Sequence, residues 1–296
     1  MAELGDGSAE FERQRARLMG VAYRILGSVA DSEDAVQEAW IRWHSTDRSQ
    51  VDNAAAFLTT VVTRLALDRL RREKSRREAY TGTWLPEPIA TESDPATSVE
   101  LADSMSMALL VVLETLSPLE RAAFVLREVF QLPYAEVAAT LGREQAAVRQ
   151  LVHRARGRVN ERRPRFQADR VKHRETVEAF VTACASADFE GLVAILAPDV
   201  VVISDSGGVA TAPRRPVHGA DKVARLMLGI AAKATPDMAY GFEVFNGQLG
   251  LVLRQEGRPM SALSFTVTDG VVQTVHVVVN PAKLVGLERL TPRLSC

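Results

Sequence analysis

The sequence predicts a multidomain protein in which two all-α blocks are followed by one α+β domain. Up to about residue 167, apolar residues recur at helical spacing and show no strand-like alternation. After residue 199, β-branched runs are separated by short turn sequences typical of hairpins. A length of 296 residues also allows two or three separate cores. We therefore expect domains at 8–80, 101–166 and 169–290, with a linker at 81–100.

The composition excludes several classes of protein. Apolar residues make up 47% and charged residues 25%, which is a globular and not a disordered profile. The acidic start, Met1–Asp6, does not resemble a secretory signal, and the longest apolar stretch, Ala108–Leu113, is too short to span a bilayer. Cys184 and Cys296 are far apart and lack metal-ligand spacing. We expect a cytoplasmic protein with no membrane, metal or cofactor.

The first block should contain three or four helices. Phe11–Leu26 has apolar residues at helical spacing and ends at a Gly-Ser pair. Asp31 is a suitable N-cap for a helix that runs to about Trp43. His44–Asn53 is polar and without period, which predicts a loop, and Ala54–Tyr80 then carries one apolar stripe.

Charge is unevenly distributed although the net charge is only −1. One basic run follows the apolar stripe of the third helix, a second lies near the end of the second helical block, and acidic residues gather near residue 34. The basic runs consist of Arg69, Arg71, Arg72, Lys74, Arg76 and Arg77, and of Arg149, Arg154, Arg156, Arg158, Arg162, Arg163 and Arg165. This pattern suits a protein that touches nucleic acid locally and another protein elsewhere. The alternative is that each run is only a solvated helix face.

The linker contains an apolar pair, Trp84-Leu85, within polar sequence interrupted by Pro86, Pro88 and Pro95. A linker has no core of its own, so we expect this pair to dock on a neighbouring surface. Simple exposure of the pair is the alternative.

The second block ends in a helix-turn-helix between Tyr134 and Arg158. Gly142 sits where a tight turn needs positive φ, and Ala138 is small where the two helices must cross. An ordinary helical hairpin would show the same spacing. The outer face of the second helix favours DNA binding, because Arg149 and Gln150 can read base edges and later arginines suit phosphates.

The last part should place three helices around a meander of strands. The helices are predicted at Val171–Ala187, Phe189–Leu196 and Ala220–Lys233. A β-branched run starts at Asp199, and four more strands are predicted at Ala239–Phe245, Leu249–Arg254, Met260–Thr268 and Val271–Val279. Asn246-Gly247 and Asp269-Gly270 are hairpin turns. Together these elements predict an α+β domain with a curved sheet.

Residues 10 to 163 resemble an extracytoplasmic-function (ECF) RNA polymerase sigma factor. Three blocks are similar to sigma region 2: Leu18 with Ala22 to Leu26, Asp31 to Glu38, and Leu65 to Arg71. Leu116 to Arg121, followed by the helix-turn-helix, is similar to region 4. The resemblance implies a region 2 helical bundle and a region 4 helix-turn-helix, and it implies RNA polymerase core and promoter DNA as partners.

The resemblance also implies a role for each group of residues. The acidic helix would dock on the β′ clamp helices of the polymerase core, which also includes the β subunit, through Asp31, Glu33, Asp34, Gln37 and Glu38. The single-stranded −10 element would meet His44, Asp47, Arg48, Asn53, Arg69, Arg71 and Arg72. The −35 duplex would meet Arg143, Gln145, Arg149, Gln150, His153, Arg154 and Arg156. Trp40 and Trp43 could stack on bases, but we expect core positions for them.

The C-terminal part resembles a cone-shaped SnoaL-like (NTF2-like) domain of the kind fused to some of these sigma factors. Three motifs carry this likeness: Trp84, Leu85, Pro86, Glu87 and Pro88; Asp205, Gly207 and Gly208; and Asn280, Pro281, Lys283 and Leu284. The subgroup implies that this domain modulates the sigma factor in cis. Val209 replaces the lysine usual in that glycine motif, and Glu144 replaces the usual Ser or Thr N-cap of the recognition helix.

Two other functions remain open for the C-terminal domain. It could be an enzyme related to cyclases or isomerases, with a general base among Asp205, His218, Asp221 and His276. Each of these is more typical of a loop position or of a satisfied core position. Alternatively, its pocket could bind an unknown small-molecule ligand that gates the sigma activity.

Overall fold

The computed structural model describes residues 2–78, 80–91, 105–162 and 170–288. The second half of the predicted linker with Pro95, the basic residues Arg163 and Arg165, and Cys296 lie outside the described residues. The side chains of Lys74, Arg76, Arg77 and Arg162 also lie outside them.

The chain divides into two compact units that are not contiguous in sequence. One consists of Met1–Glu78 with Leu109–Arg162, and the other of Ala79–Ala108 with Arg163–Cys296. Residues 80–91, which include the described part of the predicted linker, pack within the C-terminal unit. No helix in the described part of the chain is long and apolar enough to cross a membrane.

Three long helices form the first part of the first unit: α1 (Ala2–Leu26), α2 (Val29–Ser45) and α3 (Ala54–Glu78). The predicted N-cap of α2 was wrong. Ser28, not Asp31, caps this helix by accepting a hydrogen bond from the Asp31 backbone N–H, so Asp31 lies in the first turn. The predicted loop is also shorter than expected, since α2 continues to Ser45 and a 3₁₀ turn occupies Arg48–Gln50.

Shorter helices complete the first unit: α4 (Met107–Glu114), α5 (Pro118–Phe124), a π-helical turn (Val125–Val129), α6 (Tyr134–Leu141) and α7 (Gln145–Arg162). Ser117 and Glu120 form the predicted capping box at the start of α5. Gly142 ends α6 with φ of 61°, which confirms the left-handed turn expected between the two helices of the helix-turn-helix.

The second unit combines three helices with a six-stranded sheet. The helices are α8 (Arg170–Ala185), α9 (Phe189–Ala194) and α10 (Ala220–Ala231). The strands are β1 (Leu196–Asp205), β2 (Val217–His218), β3 (Met238–Phe245), β4 (Gln248–Gln255), β5 (Arg258–Thr268) and β6 (Val271–Val278). Their order is β2-β1-β6-β5-β4-β3; β1 and β6 are parallel, and the other neighbours are antiparallel. The predicted α+β class is confirmed.

Hairpin turns join β3 to β6 into a meander. Both predicted turns are present, with positive φ at Asn246-Gly247 and at Asp269-Gly270. A third, Glu256-Gly257, was missed at the sequence level although it has the same geometry. One side of the sheet forms an apolar core with the helices, in which the rings of Phe180 and Phe265 pack edge to face at 5.1 Å.

Candidate functional site

The recognition helix α7 presents a polar surface on a buried apolar base. Val148 and Val152 are fully buried, together with Val137 of the supporting helix. Since these residues fix the orientation of α7, its opposite side must face solvent. All seven predicted −35 residues are exposed: Arg143 in the turn before α7, and Gln145, Arg149, Gln150, His153, Arg154 and Arg156 on α7 itself. The Arg149 guanidinium also lies 5.5 Å from the centre of the Tyr134 ring, which orders it.

Two other predicted −35 arginines, Arg154 and Arg156, are engaged within the protein. Arg156 makes a bidentate pair with Glu128, with both N–O distances 2.7 Å, and this pairing raises the pKa of Arg156. Arg154 and Arg158 both pair with Glu120, at 3.1 and 2.9 Å. Burial acts to raise the pKa of Glu120, but hydrogen bonds from Ser117 and Arg154 outweigh it and lower that pKa. These pairs tie α7 to the preceding helices.

The acidic face of α2 carries the predicted polymerase-docking residues. Glu33, Asp34 and Gln37 are exposed, and Asp31 and Glu38 are partly so. Ile41 lies one turn beyond Glu38 on the same side of the helix and is 59% exposed. Sequence reasoning missed this apolar residue, although its spacing from Asp34 would have identified it.

Arg69 was predicted among the −10 residues, but its side chain contacts the acidic face of α2. Its guanidinium is 3.1 Å from a carboxylate oxygen of Asp34 and 3.4 Å from one of Glu38. The other Glu38 oxygen pairs with Arg42 at 2.8 Å. A cleft of about 470 Å³ adjoins these groups and is lined by Asp31, Glu38, Arg42, Leu65, Asp68, Arg69, Arg72 and Glu73.

The remaining predicted −10 residues surround the 3₁₀ turn. His44, Asp47 and Asn53 are exposed and Arg48 is partly buried. Asp47 accepts hydrogen bonds from the backbone N–H and hydroxyl of Ser49, which lower its pKa. Asn53 caps α3 by accepting from the Ala56 N–H at 3.0 Å. The carboxylate of Asp47 and the amide oxygen of Asn53 therefore order the backbone of this segment.

Of the two tryptophans of α2, Trp43 belongs to the core, as predicted, whereas Trp40 lies at the margin of the core. Trp43 is 3% exposed and donates its indole N–H to the Gly7 carbonyl at 2.8 Å. Trp40 is partly buried, and its ring packs against Phe11 at 5.0 Å and against His44 at 5.7 Å. Neither ring is free to serve as an open stacking platform.

Within the first unit, the supporting helix α6 packs against α3. The Arg64 guanidinium donates to the backbone carbonyls of Thr140 and Ala139 at 3.1 and 3.2 Å. These carbonyls belong to the last turn of α6, where a cation is favourable. The hydroxyls of Thr60 and Thr140 are also hydrogen-bonded at 3.1 Å. This contact was not predicted from the sequence.

Buried arginines join α1 to the second half of the same unit. Arg121 is 1% exposed and donates to the Arg24 carbonyl at 2.8 Å. Arg24 lies over the Phe130 ring at 5.3 Å, and burial lowers its pKa to about 10. Both guanidiniums thus hold helices from the two sigma-like blocks together.

In the C-terminal unit, the three sequence motifs meet at the end of β1. The Asp205 carboxylate is fully buried and accepts from the Leu85 backbone N–H at 2.8 Å, the Tyr80 hydroxyl at 2.5 Å and the Lys283 ammonium at 2.7 Å. Lys283 also donates to the Leu85 carbonyl and lies 3.9 Å from the centre of the Trp84 ring. Burial, together with the contact with Asp205, raises the pKa of Tyr80.

The glycine and asparagine motifs complete this cluster. Gly207 has φ of 61° and donates its N–H to Asp205 at 3.1 Å, and a Cβ at this position would lie 2.6 Å from the Asn280 amide. Asn280 donates to the Tyr80 hydroxyl at 2.9 Å and caps the following 3₁₀ turn. The neighbouring Gly208 is similarly close to Thr81. Pro86, Glu87, Pro88 and Leu284 are buried, while Pro281 is exposed.

The linker continues from this cluster to the opposite edge of the sheet. Ile89 and Asn246 are joined by two hydrogen bonds, and the Thr91 N–H donates to the Val244 carbonyl at 3.0 Å. Ala90 forms an isolated antiparallel bridge with Phe245 at the end of β3. Leu85 is 0% exposed, so the docking predicted for the Trp84-Leu85 pair is confirmed.

The four candidate general bases differ in exposure and in their contacts. Asp205 is the buried carboxylate described above. Asp221 is exposed and pairs with Arg225 at 2.9 Å, and His218 is exposed on β2. Burial lowers the pKa of His276 to about 4, and its Nδ1 has no hydrogen-bond partner in the described part of the protein. The expectation of a satisfied core position is therefore not met for this nitrogen. The described residues also contain no cluster of His, Cys, Asp or Glu suited to a metal.

A helix-turn-helix with an exposed polar face, together with a helix that carries an acidic face, is typical of a transcription protein. Residues 11–76 match the family model for sigma-70 region 2, and residues 106–159 match that for sigma-70 region 4. The ECF RNA polymerase sigma factor SigJ of Mycobacterium tuberculosis is 43% identical over 94% of this chain and 93% of its own length. A probable ECF RNA polymerase sigma factor, SigI, from the same species is 32% identical over 94% of each chain.

A solved structure agrees with this relationship. The crystal structure of Mycobacterium tuberculosis SigJ superposes with a TM-score of 0.76 at 41% identity, covering 94% of this chain and 98% of that one. The chain belongs to the ECF RNA polymerase sigma factors. It is a subunit that directs RNA polymerase to promoters and carries an additional C-terminal α+β domain.

Proposed function

We propose that α2 docks on the β′ clamp helices through Asp31, Glu33, Asp34, Gln37 and Glu38, while the β subunit provides a further surface of the core. The exposed carboxylates form a continuous acidic patch, and Ile41 adds an apolar contact beside them. Such a patch complements a basic helical surface and would accelerate association at low salt. We place this assembly in the cytoplasm, where polymerase and promoters meet.

For the −35 duplex, the proposed readers are Arg143, Gln145, Arg149, Gln150 and His153. The supporting observation is that these five are exposed, Arg143 in the turn before α7 and the others on α7. Arg154, Arg156 and Arg158 are also exposed, but each pairs with a carboxylate of the same unit. Side chains that lack such partners can approach base edges without first breaking an ion pair. Arg154 and Arg156 would act mainly by fixing the pose of α7.

The −10 single strand is assigned to the turn around His44, Asp47, Arg48 and Asn53, with Arg71 and Arg72 on α3. The turn is ordered by its own caps, which suits a rigid pocket for an unstacked base. Arg72 is exposed and available to the phosphate backbone, whereas the exposed Arg71 pairs with Asp68 at 3.1 Å and would exchange this carboxylate for a phosphate.

In vitro transcription with core polymerase tests these assignments. We expect D34N/E38Q to lower core affinity, and R149A/Q150A to lower −35-dependent initiation while core affinity is unchanged. K222Q, an exposed change on α10, is the control. Loss of core affinity in R149A/Q150A, or full activity in D34N/E38Q, would contradict the division of roles.

The C-terminal unit is proposed to regulate the sigma factor in cis by holding the linker between regions 2 and 4. The contacts of Asp205 and Lys283 with Tyr80, Trp84 and Leu85 support this role, because they fix the chain that joins the two DNA-binding regions. Deleting residues 170–296 should therefore change promoter output at equal core affinity. Unchanged output would remove the regulatory role. The helix-facing side of the sheet is an apolar core, so the proposal includes no small-molecule ligand there.

A further inference from the structure

Arg69 has a position that its sequence context did not indicate. It lies in the basic run of α3, yet its guanidinium points across to α2 and contacts both Asp34 and Glu38. These two carboxylates are four residues apart and so lie on the same side of the helix. The Arg69 side chain is 24% exposed, whereas Asp34 and Glu38 are 63% and 41% exposed. The arginine is thus the more enclosed partner.

We propose that Arg69 is an internal counter-ion that competes with RNA polymerase for the docking carboxylates, and that it is not a −10 DNA contact. This inference rests on the proposed docking role of α2. A basic partner helix would approach Asp34 and Glu38 from solvent, while Arg69 already neutralises part of their charge. Because Arg42 holds the other oxygen of Glu38, this carboxylate is contacted by two arginines of its own chain.

Two opposite effects of Arg69 have to be compared. Ordering of the carboxylates by Arg69 would favour docking, but ion pairs between exposed groups contribute little because solvent screens them. Repulsion between Arg69 and an incoming cation acts within a few ångströms of the interface, where docking excludes water and strengthens it. Repulsion therefore outweighs ordering, so removing the Arg69 charge should tighten binding.

The test measures the affinity of the full chain for core RNA polymerase at several salt concentrations. R69Q should bind about threefold or more tightly at low salt, and the gain should shrink as salt rises. R15Q is the matched control, because it also removes one exposed charge from the helical unit, on α1, where Arg15 pairs with Glu12 at 3.8 Å. R15Q should leave core affinity within about twofold of the starting value if long-range charge is screened.

A double-variant cycle separates this inference from the proposed docking role. In a D34N/E38Q background, R69Q should give a smaller gain than in the unmodified protein, since Arg69 no longer neutralises docking carboxylates and only its repulsion of the incoming cation is relieved. If D34N/E38Q leaves core affinity unchanged, the docking role itself is wrong. If D34N/E38Q weakens docking while R69Q weakens it too, has no effect, or matches R15Q, the competition by Arg69 is wrong. Weaker open-complex formation by R69Q at saturating core would restore Arg69 to the DNA contacts and overturn the proposal.

Discussion

The Lys283 ammonium lies 2.7 Å from the Asp205 carboxylate, and both groups are withdrawn from solvent in the interior of the C-terminal unit. Lys283 and Asp205 are also the two residues that hold the backbone of Leu85, one at its carbonyl and the other at its N–H. The buried ion pair is therefore one attachment point of the linker, beside the contacts of Ile89 and Thr91 with the β3 edge. Its strength contributes to how firmly the linker stays bound.

Replacing Lys283 with methionine should strongly destabilise the C-terminal unit. The Asp205 charge would remain buried without its cation, and loss of one partner of a buried pair costs about 3–5 kcal/mol. Urea denaturation of the full chain measures this loss, and limited proteolysis at residues 80–91 reports release of the linker. K222M removes an exposed lysine and should have little effect. D205N/K283M should lose less stability than K283M, and an equal or greater loss would argue against a charge-based explanation.

Stability should fall between pH 6.5 and 4 because of His276. Burial lowers the pKa of this imidazole to about 4, so over this range the unfolded chain binds a proton that the folded chain does not, and stability declines as pH falls. The loss should reach about 2 kcal/mol by pH 5 relative to neutral pH. H276L should remove this part of the pH dependence in urea denaturation at pH 7.5 and 5. His173, whose pKa is also lowered by burial, would leave a residual slope, but an unaltered slope in H276L would exclude His276 as the source.

Arg149 and Arg156 should have separable roles on the same helix. R149Q is expected to reduce discrimination at the −35 element by about 1–3 kcal/mol, as for loss of one base-reading arginine, without changing thermal stability. R156Q should lower thermal stability, because Glu128 loses a bidentate partner. Binding of each variant holoenzyme to a promoter fragment measures discrimination, and thermal unfolding of each variant measures stability, so the two roles can be distinguished. If R156Q loses discrimination at the −35 element while its thermal stability is unchanged, Arg156 reads DNA and the assigned roles are wrong.

Weakening the contact between α3 and α6 should favour simultaneous binding of the free protein to both promoter elements. The −35 and −10 elements are centred about 25 base pairs, or roughly 85 Å, apart, whereas a compact unit of about 130 residues has a radius of gyration near 14 Å. The two regions must therefore separate to occupy both elements.

T60V/R64Q removes the side-chain contacts to Thr140 and Ala139. We expect longer distances between labels on α3 and α7, and severalfold tighter binding to a fragment that joins a −35 duplex to a single-stranded −10 element, because only the open protein reaches both elements and its fraction rises. R15Q, an exposed change on α1, serves as the control. Longer distances without tighter binding would show that the packed state does not limit DNA access.

Local sequence patterns predicted most helices and strands, and they predicted which residues lie on the exposed face of α7. The hairpins at Asn246 and Asp269 follow from turn chemistry, and the exposed face of α7 follows from helical spacing. The N-cap of α2 was misassigned because Ser28 and Asp31 are both good caps and only the backbone decides between them.

Long-range ion pairs and hydrogen bonds could not be predicted from the sequence. Arg69 looks like any member of a basic run until α2 and α3 are packed together, and Arg64 shows its contact with Thr140 only in the folded unit. Their partners are 35 and 76 residues away, so no local rule identifies them.

The path of residues 85–91 also affects how this protein behaves when concentrated. The segment belongs to the helical half by chain order but completes the β3 edge and the Asp205 site of the C-terminal unit. A molecule whose segment has been released exposes an edge strand and the vacated binding site of the segment. The same segment from a second molecule can bind there, so variants that loosen the segment, such as K283M, should form domain-swapped dimers.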